Sequence, residues 1–103
     1  MDHVADIKKY TKKVDEAVVA SMEKTYRLVL SRADSALVSF ADEKEVDTVR
    51  KNFIVKKLGV TDDAAAQKAL DSVSAKMKGV SRKNRLTVYY LLAEELGKLD
   101  VLK

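Results

Sequence analysis

The sequence predicts an all-α fold, a compact bundle of four to five helices with the C-terminal helix at its centre. Three observations carry that prediction. The chain has 103 residues with three glycines and no proline, so it has few places to turn sharply, whereas hairpins and sandwiches need many. Apolar residues recur at helical spacing through most of it. Finally, the stretch 86–96 reads Leu-Thr-Val-Tyr-Tyr-Leu-Leu-Ala-Glu-Glu-Leu, and a helix wound from it is apolar on nearly every side as far as Ala93. Such a helix belongs in the middle of a bundle or at a subunit contact.

Composition narrows the class. At 47% hydrophobic and 35% charged, the chain has enough apolar surface for one core, and residues 1–103 are expected to form a single helical domain. The absence of cysteine excludes a disulfide framework, a thiolate metal site and a cysteine nucleophile together. Neither an N-terminal apolar run nor a membrane-length window is present, so a cytoplasmic protein is expected. The formal charge of +4 is evenly spread: residues 1–58 carry 12 Lys and Arg against 10 Asp and Glu, and residues 59–103 carry 8 against 6. An excess of that size is common in proteins that bind no nucleic acid.

Residues 4–30 contain neither glycine nor proline, with Val4, Ile7, Val14, Val18, Met22, Tyr26 and Val29 at helical spacing. Periodicity leaves one long helix or two open; a break near residues 13–15 is favoured, because Asp15 and Glu16 suit the start of a second helix. Residues 32–41 lose the helical period. Asp34-Ser35 reads as a turn, and Ala36-Leu37-Val38 with Phe40 as an apolar connection against the core. Asp42 is expected to cap the next helix through the N–H of Glu45, whose side chain reaches back, and that helix runs to Leu58 with Val46, Val49, Phe53 and Ile54 inward.

Gly59-Val60-Thr61 and Gly79-Val80-Ser81 repeat one corner. Glycine sits just past a helix end, valine packs back on the last turn, and Thr61 or Ser81 caps the next helix. Between the corners, residues 62–78 form an amphipathic helix with Ala66, Ala69, Leu70, Val73 and Met77 on one face. Asp62 and Asp63 open it, and Lys76 and Lys78 close it, as the helix dipole favours. The last helix spans residues 82–96 and stops at Gly97, with Leu99 and Leu102 docking the tail.

Three strings together, Asp34-Ser-Ala-Leu-Val-Ser-Phe-Ala-Asp42, Val49-Arg-Lys-Asn-Phe-Ile-Val-Lys-Lys-Leu-Gly59 and Arg82-Lys-Asn-Arg-Leu-Thr-Val-Tyr-Tyr-Leu-Leu-Ala-Glu94, resemble a family of small bacterial proteins known as domain of unknown function 2853. The likeness spans essentially the whole chain, and Lys-Lys-Leu-Gly and Val-Tyr-Tyr-Leu-Leu-Ala-Glu are its most specific parts. It departs at Glu23-Lys-Thr-Tyr26, where many members are expected to carry a glycine. The resemblance implies a bacterial origin and no assigned activity, and carries over no functional residue.

No catalytic or metal site is expected, and no cofactor. His3 is the single histidine and lies at the frayed N-terminus. Three of the acidic pairs, Asp15-Glu16, Asp42-Glu43 and Asp62-Asp63, stand at helix starts, and Glu94-Glu95 is expected to engage Lys98 one turn on from Glu94. Lys8-Lys9 and Lys12-Lys13 form a solvated face; their helix lacks the Trp or Phe of a membrane-surface segment, so no membrane contact is expected.

The leading expectation is a non-enzymatic helical interaction module. It is open to self-association through Leu86, Tyr89, Tyr90 and Leu92, because the last helix has more apolar sides than a small bundle easily covers. The alternative is a weak, sequence-independent nucleic-acid binder using Lys51, Lys56, Lys57, Arg82, Lys83 and Arg85. Against it, residues 86–92 are too apolar for a recognition helix in a groove. An enzyme stands last, for want of an activated nucleophile or general base.

Overall fold

In the computed structural model of the protein, residues 3–32, 36–80 and 83–103 are described. Residues 4–30 do break where the acidic pair suggests. Helix α1 (His3–Lys8) ends early, and α2 (Glu16–Thr25) starts behind Asp15, whose Oδ1 accepts the N–H of Ala17 at 3.1 Å and of Val18 at 3.3 Å. A second break falls at Tyr26, which leaves helical geometry (φ −103°, ψ 16°) and separates α2 from the single turn α3 (Arg27–Leu30). That extra break makes six α-helices among the described residues, one more than expected. The fold is all-α apart from one pair of two-residue strands. In it β1 (Leu37–Val38) runs antiparallel to a later strand, with Leu37 opposite Asn84 and Val38 opposite Lys83. The turn expected at Asp34-Ser35 lies outside the described residues.

Asp42 opens α4 (Glu43–Val49), but through the N–H of Lys44 at 3.0 Å rather than that of Glu45. The helix does not stay regular to Leu58. From Arg50 to Val55 it widens into a π-helical turn, with N–H groups reaching five residues back: Lys56 to the Lys51 carbonyl at 3.2 Å and Leu58 to that of Phe53 at 2.9 Å. Phe53 and Ile54, adjacent in sequence, are both buried there. Gly59 closes the turn at φ 72°, a left-handed conformation that glycine adopts without strain, and donates to the Val55 carbonyl at 3.0 Å.

Helix α5 (Asp63–Lys76) buries Ala66, Ala69, Leu70 and Val73 as the spacing predicts, with Met77 buried just beyond. Its cap is Asp62, which accepts the N–H groups of Ala64 and Ala65, and not Thr61. The second corner differs more. After Val80 the chain first pairs with β1 through β2 (Lys83–Asn84), and α6 (Arg85–Glu95) starts with Asn84 as its cap, accepting from Leu86 and Thr87. Ser81, the expected cap, is outside the described residues.

Every residue of α6 from Arg85 to Ala93 is buried. The helix packs against α1, α2, α5, the π-helical turn, both strands and a C-terminal 3₁₀ turn (Leu99–Leu102), where Leu102 is buried. The last helix is therefore central, and the buried side chains form one core around it. Leu86, Tyr89, Tyr90 and Leu92, expected as core or partner interface, are core: Leu86 and Leu92 are 0% exposed, Tyr90 1% and Tyr89 7%. These four side chains are enclosed by the three helices, the two strands and the two turns that pack on α6.

Candidate functional site

Inside the core, α6 carries polar groups on two faces. On one, Arg85 and Tyr89 lie one turn apart, and the Arg85 guanidinium donates to the Tyr89 hydroxyl (2.9 Å), to Glu45 Oε1 of α4 (2.5 Å) and to the Leu37 carbonyl of β1 (3.3 Å). Its side chain is only 11% exposed. Burial pulls the guanidinium pKa down, but the Tyr89 and Glu45 partners outweigh it and the net shift is upward. The Tyr89 ring stacks on Phe53 with centroids 4.0 Å apart, and Tyr26 closes the cluster edge-on at 5.3 Å from Tyr89. Burial, with a smaller contribution from Tyr89, pushes the Tyr26 phenol up to about 12.

The second face carries Thr87, Tyr90 and Glu94, spaced by three and four residues and so aligned along the helix. They hold the N-terminal segment. Thr87 Oγ1 donates to Asp6, the Tyr90 hydroxyl accepts the N–H of Asp15 at 2.8 Å, and Glu94 accepts from Thr11 Oγ1 at 3.0 Å. Among the described residues no buried side-chain polar atom lacks a partner, so the polar groups of the interior are spent on structure.

The surface offers a cavity of about 480 Å³ between α4 and α5. Phe40 and Val46, both half-buried, supply its apolar lining; Glu43, Asp47, Arg50 and Gln67 supply the polar part. The π-helical turn begins at Arg50, beside this groove. Asp47 is held by Arg50 at 2.7 Å and Lys51 at 2.9 Å, and those two hydrogen bonds keep its carboxyl below the usual carboxylate range. Gln67 donates to Asp71 at 2.9 Å. Glu43 is exposed and makes no ion pair among the described residues.

Of the six cations read as phosphate contacts, five are described, and three of those are engaged within the protein. Arg85 is removed from the surface by burial and by Glu45, which corrects its expected role. Lys51 is engaged with Asp47, and Lys83 Nζ donates to the Val80 carbonyl at 2.7 Å. Lys56 and Lys57 are exposed at the end of the π-helical turn, and Arg82 is outside the described residues. Two further expectations shift. Glu94 engages Thr11 instead of Lys98, while Glu95 stands 3.7 Å from Lys76. His3 is not frayed: its Nδ1 lies 2.9 Å from Glu23 Oε2, tying α1 to α2, with the His3 side chain 12% exposed. Among the described residues no three His, Asp or Glu side chains converge as metal ligands, and no helix is long and apolar enough to cross a membrane.

Sequence reasoning missed Glu45, Thr87 and Asp6 as interior partners. The signal was present in Arg85 and Thr87, two polar residues opening a run that is otherwise apolar all round; such residues must meet partners from other elements.

Fold and surface together define a small all-α domain, with a central helix fixed by polar contacts on two faces and a shallow mixed groove outside. The chain belongs to the family described as protein of unknown function (DUF2853), which it matches over residues 2–100. A search of curated proteins finds no match.

Proposed function

We propose that the protein is a non-enzymatic interaction module and that its contact surface is the groove between α4 and α5. The observation that carries this reading is the lining of that groove, where half-buried Phe40 and Val46 lie beside Glu43, Asp47, Arg50 and Gln67. An apolar floor with a polar rim is the arrangement by which a surface binds another protein. The same residues make poor catalysts. A carboxylate paired to two cations, with its pKa lowered as in Asp47, is a weak base near neutrality. The cytoplasmic setting expected from the sequence is part of the proposal.

Site-specific photo-crosslinking tests it. A photoreactive residue in place of Val46, introduced in the cells that make the protein, is expected to give discrete adducts. The same residue in place of Glu16, exposed on α2 and away from the groove, should give none. Absence of adducts from position 46, or equal labelling from both, would reject the reading.

A further inference from the structure

Leu28 is the most exposed large apolar side chain among the described residues, at 80%. It stands on the one-turn helix α3 in the company of Lys24, Arg27 and Arg32, all exposed. None of these three cations has an ion pair among the described residues. The surface there is a leucine knob in a basic collar. The groove is its complement. Phe40 and Val46 give it an apolar lining, and its free charge is negative: Asp47 is bonded to Arg50 and Lys51, Asp63 lies close enough to add to the stabilisation of Arg50, and Glu43 has no ion pair among the described residues.

Resting on the groove reading above, we propose that the occupant of the groove is a second copy of this chain. Leu28 of one molecule seats between Phe40 and Val46 of the next, and Arg27 and Lys24 meet Glu43, the groove acid that no cation holds among the described residues. Knob and groove share no residue, so the contact is heterologous: each molecule that offers its knob keeps a groove free. Such contacts grow into rings or chains and do not stop at a two-fold dimer. One leucine with a charged rim buries far less area than a stable dimer requires, which places the association in the range of about 0.1–1 mM. Because the collar and rim are exposed, salt screens their attraction.

Sedimentation velocity of the full chain, from tens of micromolar to about 1 mM, reads this range directly. The average sedimentation coefficient is expected to rise with concentration, less steeply at high salt. Leu28→Glu and Val46→Glu should each remain monomeric alone. Mixed in equal amounts they should form a one-to-one dimer that grows no further, because the first variant keeps its groove and the second its knob. Circular dichroism establishes that each variant is folded. Should Val46→Glu fail to fold, Glu43→Lys takes its place, at an exposed position, and is expected to behave the same way. A wild-type chain that stays monomeric throughout, a dimer indifferent to both substitutions, or a mixture that shows no complementation would overturn the proposal. Monomeric protein that still gives adducts from position 46 to a different protein rejects the second copy and keeps the groove; loss of those adducts as well rejects both.

Discussion

Removing the Glu45 carboxylate takes from the nearly enclosed Arg85 guanidinium its carboxylate acceptor at 2.5 Å, while the Tyr89 hydroxyl and the Leu37 carbonyl still accept from it. Breaking a buried ion pair costs about 3–5 kcal/mol, and the 27% exposure of Glu45 with the acceptors that remain lowers the expectation for Glu45→Ala to about 2–3 kcal/mol. Urea denaturation measures it. Replacing both partners, Glu45→Leu with Arg85→Met, should recover most of the loss, because the desolvation of the guanidinium disappears with it. A double variant as unstable as Glu45→Ala would show that the pair also fixes geometry. Tyr26 gives a second test, at alkaline pH. With its phenol held at about 12 against 10.0 in the unfolded chain, the folded protein keeps a proton that the unfolded chain releases. That stability is complete below pH 10 and is lost as the pH rises through about 12. Tyr26→Phe should flatten the fall of the urea midpoint across this interval without abolishing it, since Tyr10 and Tyr90 are also raised, chiefly by burial. Phenolate absorbance follows the same titration independently.

Helix boundaries respond to the same logic at the next scale. Asn84 satisfies the N–H groups of Leu86 and Thr87, both buried, so Asn84→Ala strands donors that water cannot reach. The expected cost is about 2 kcal/mol, the upper end for a cap, read as a shift in urea midpoint with unchanged slope. A loss no larger than that of the exposed cap variant Asp62→Ala would refute the burial argument. This cap was not legible in the sequence. The corner Gly79-Val80-Ser81 resembles Gly59-Val60-Thr61, and local chemistry favours Ser81. What moves the helix start to Asn84 is pairing with Leu37 and Val38, more than forty residues away. The π-helical turn was hidden for a similar reason, since its five-residue bonds accompany the burial of both Phe53 and Ile54, a demand of the core and not of the segment. By contrast, Asp15 and Asp42 were readable as helix starts, because a carboxylate and the free amides it serves lie within three residues; at Asp62 the same chemistry lay one residue beyond the expected cap, Thr61. The groove was not readable at all. Phe40, Glu43, Val46, Asp47 and Arg50 lie within eleven residues, but Gln67 joins them from α5, and nothing local in the sequence signals that meeting.

For the molecule as a whole, the centrality of α6 and the shortness of α1 predict a graded opening. Amides of α6 should exchange only through global unfolding, and those of the six-residue α1 earlier, through local release from Thr87, Tyr90 and Glu94. Hydrogen exchange resolved by residue checks this order, and α6 amides exchanging as fast as those of α1 would contradict it. Ile7, fully buried on α1, ties the two: Ile7→Ala should cost about 3 kcal/mol and accelerate exchange in α1 most.

The placement of α6 also sets the order in which the protein can be made. Translation proceeds from the N-terminus, so residues 1–84 emerge from the ribosome before the helix that organises them exists. The apolar faces of α2, α5 and the π-helical turn are then without their common neighbour, and a chain arrested before Arg85 is a client for chaperones or proteases. The core can close only after residues 85–93 have left the ribosome and packed among elements already synthesised.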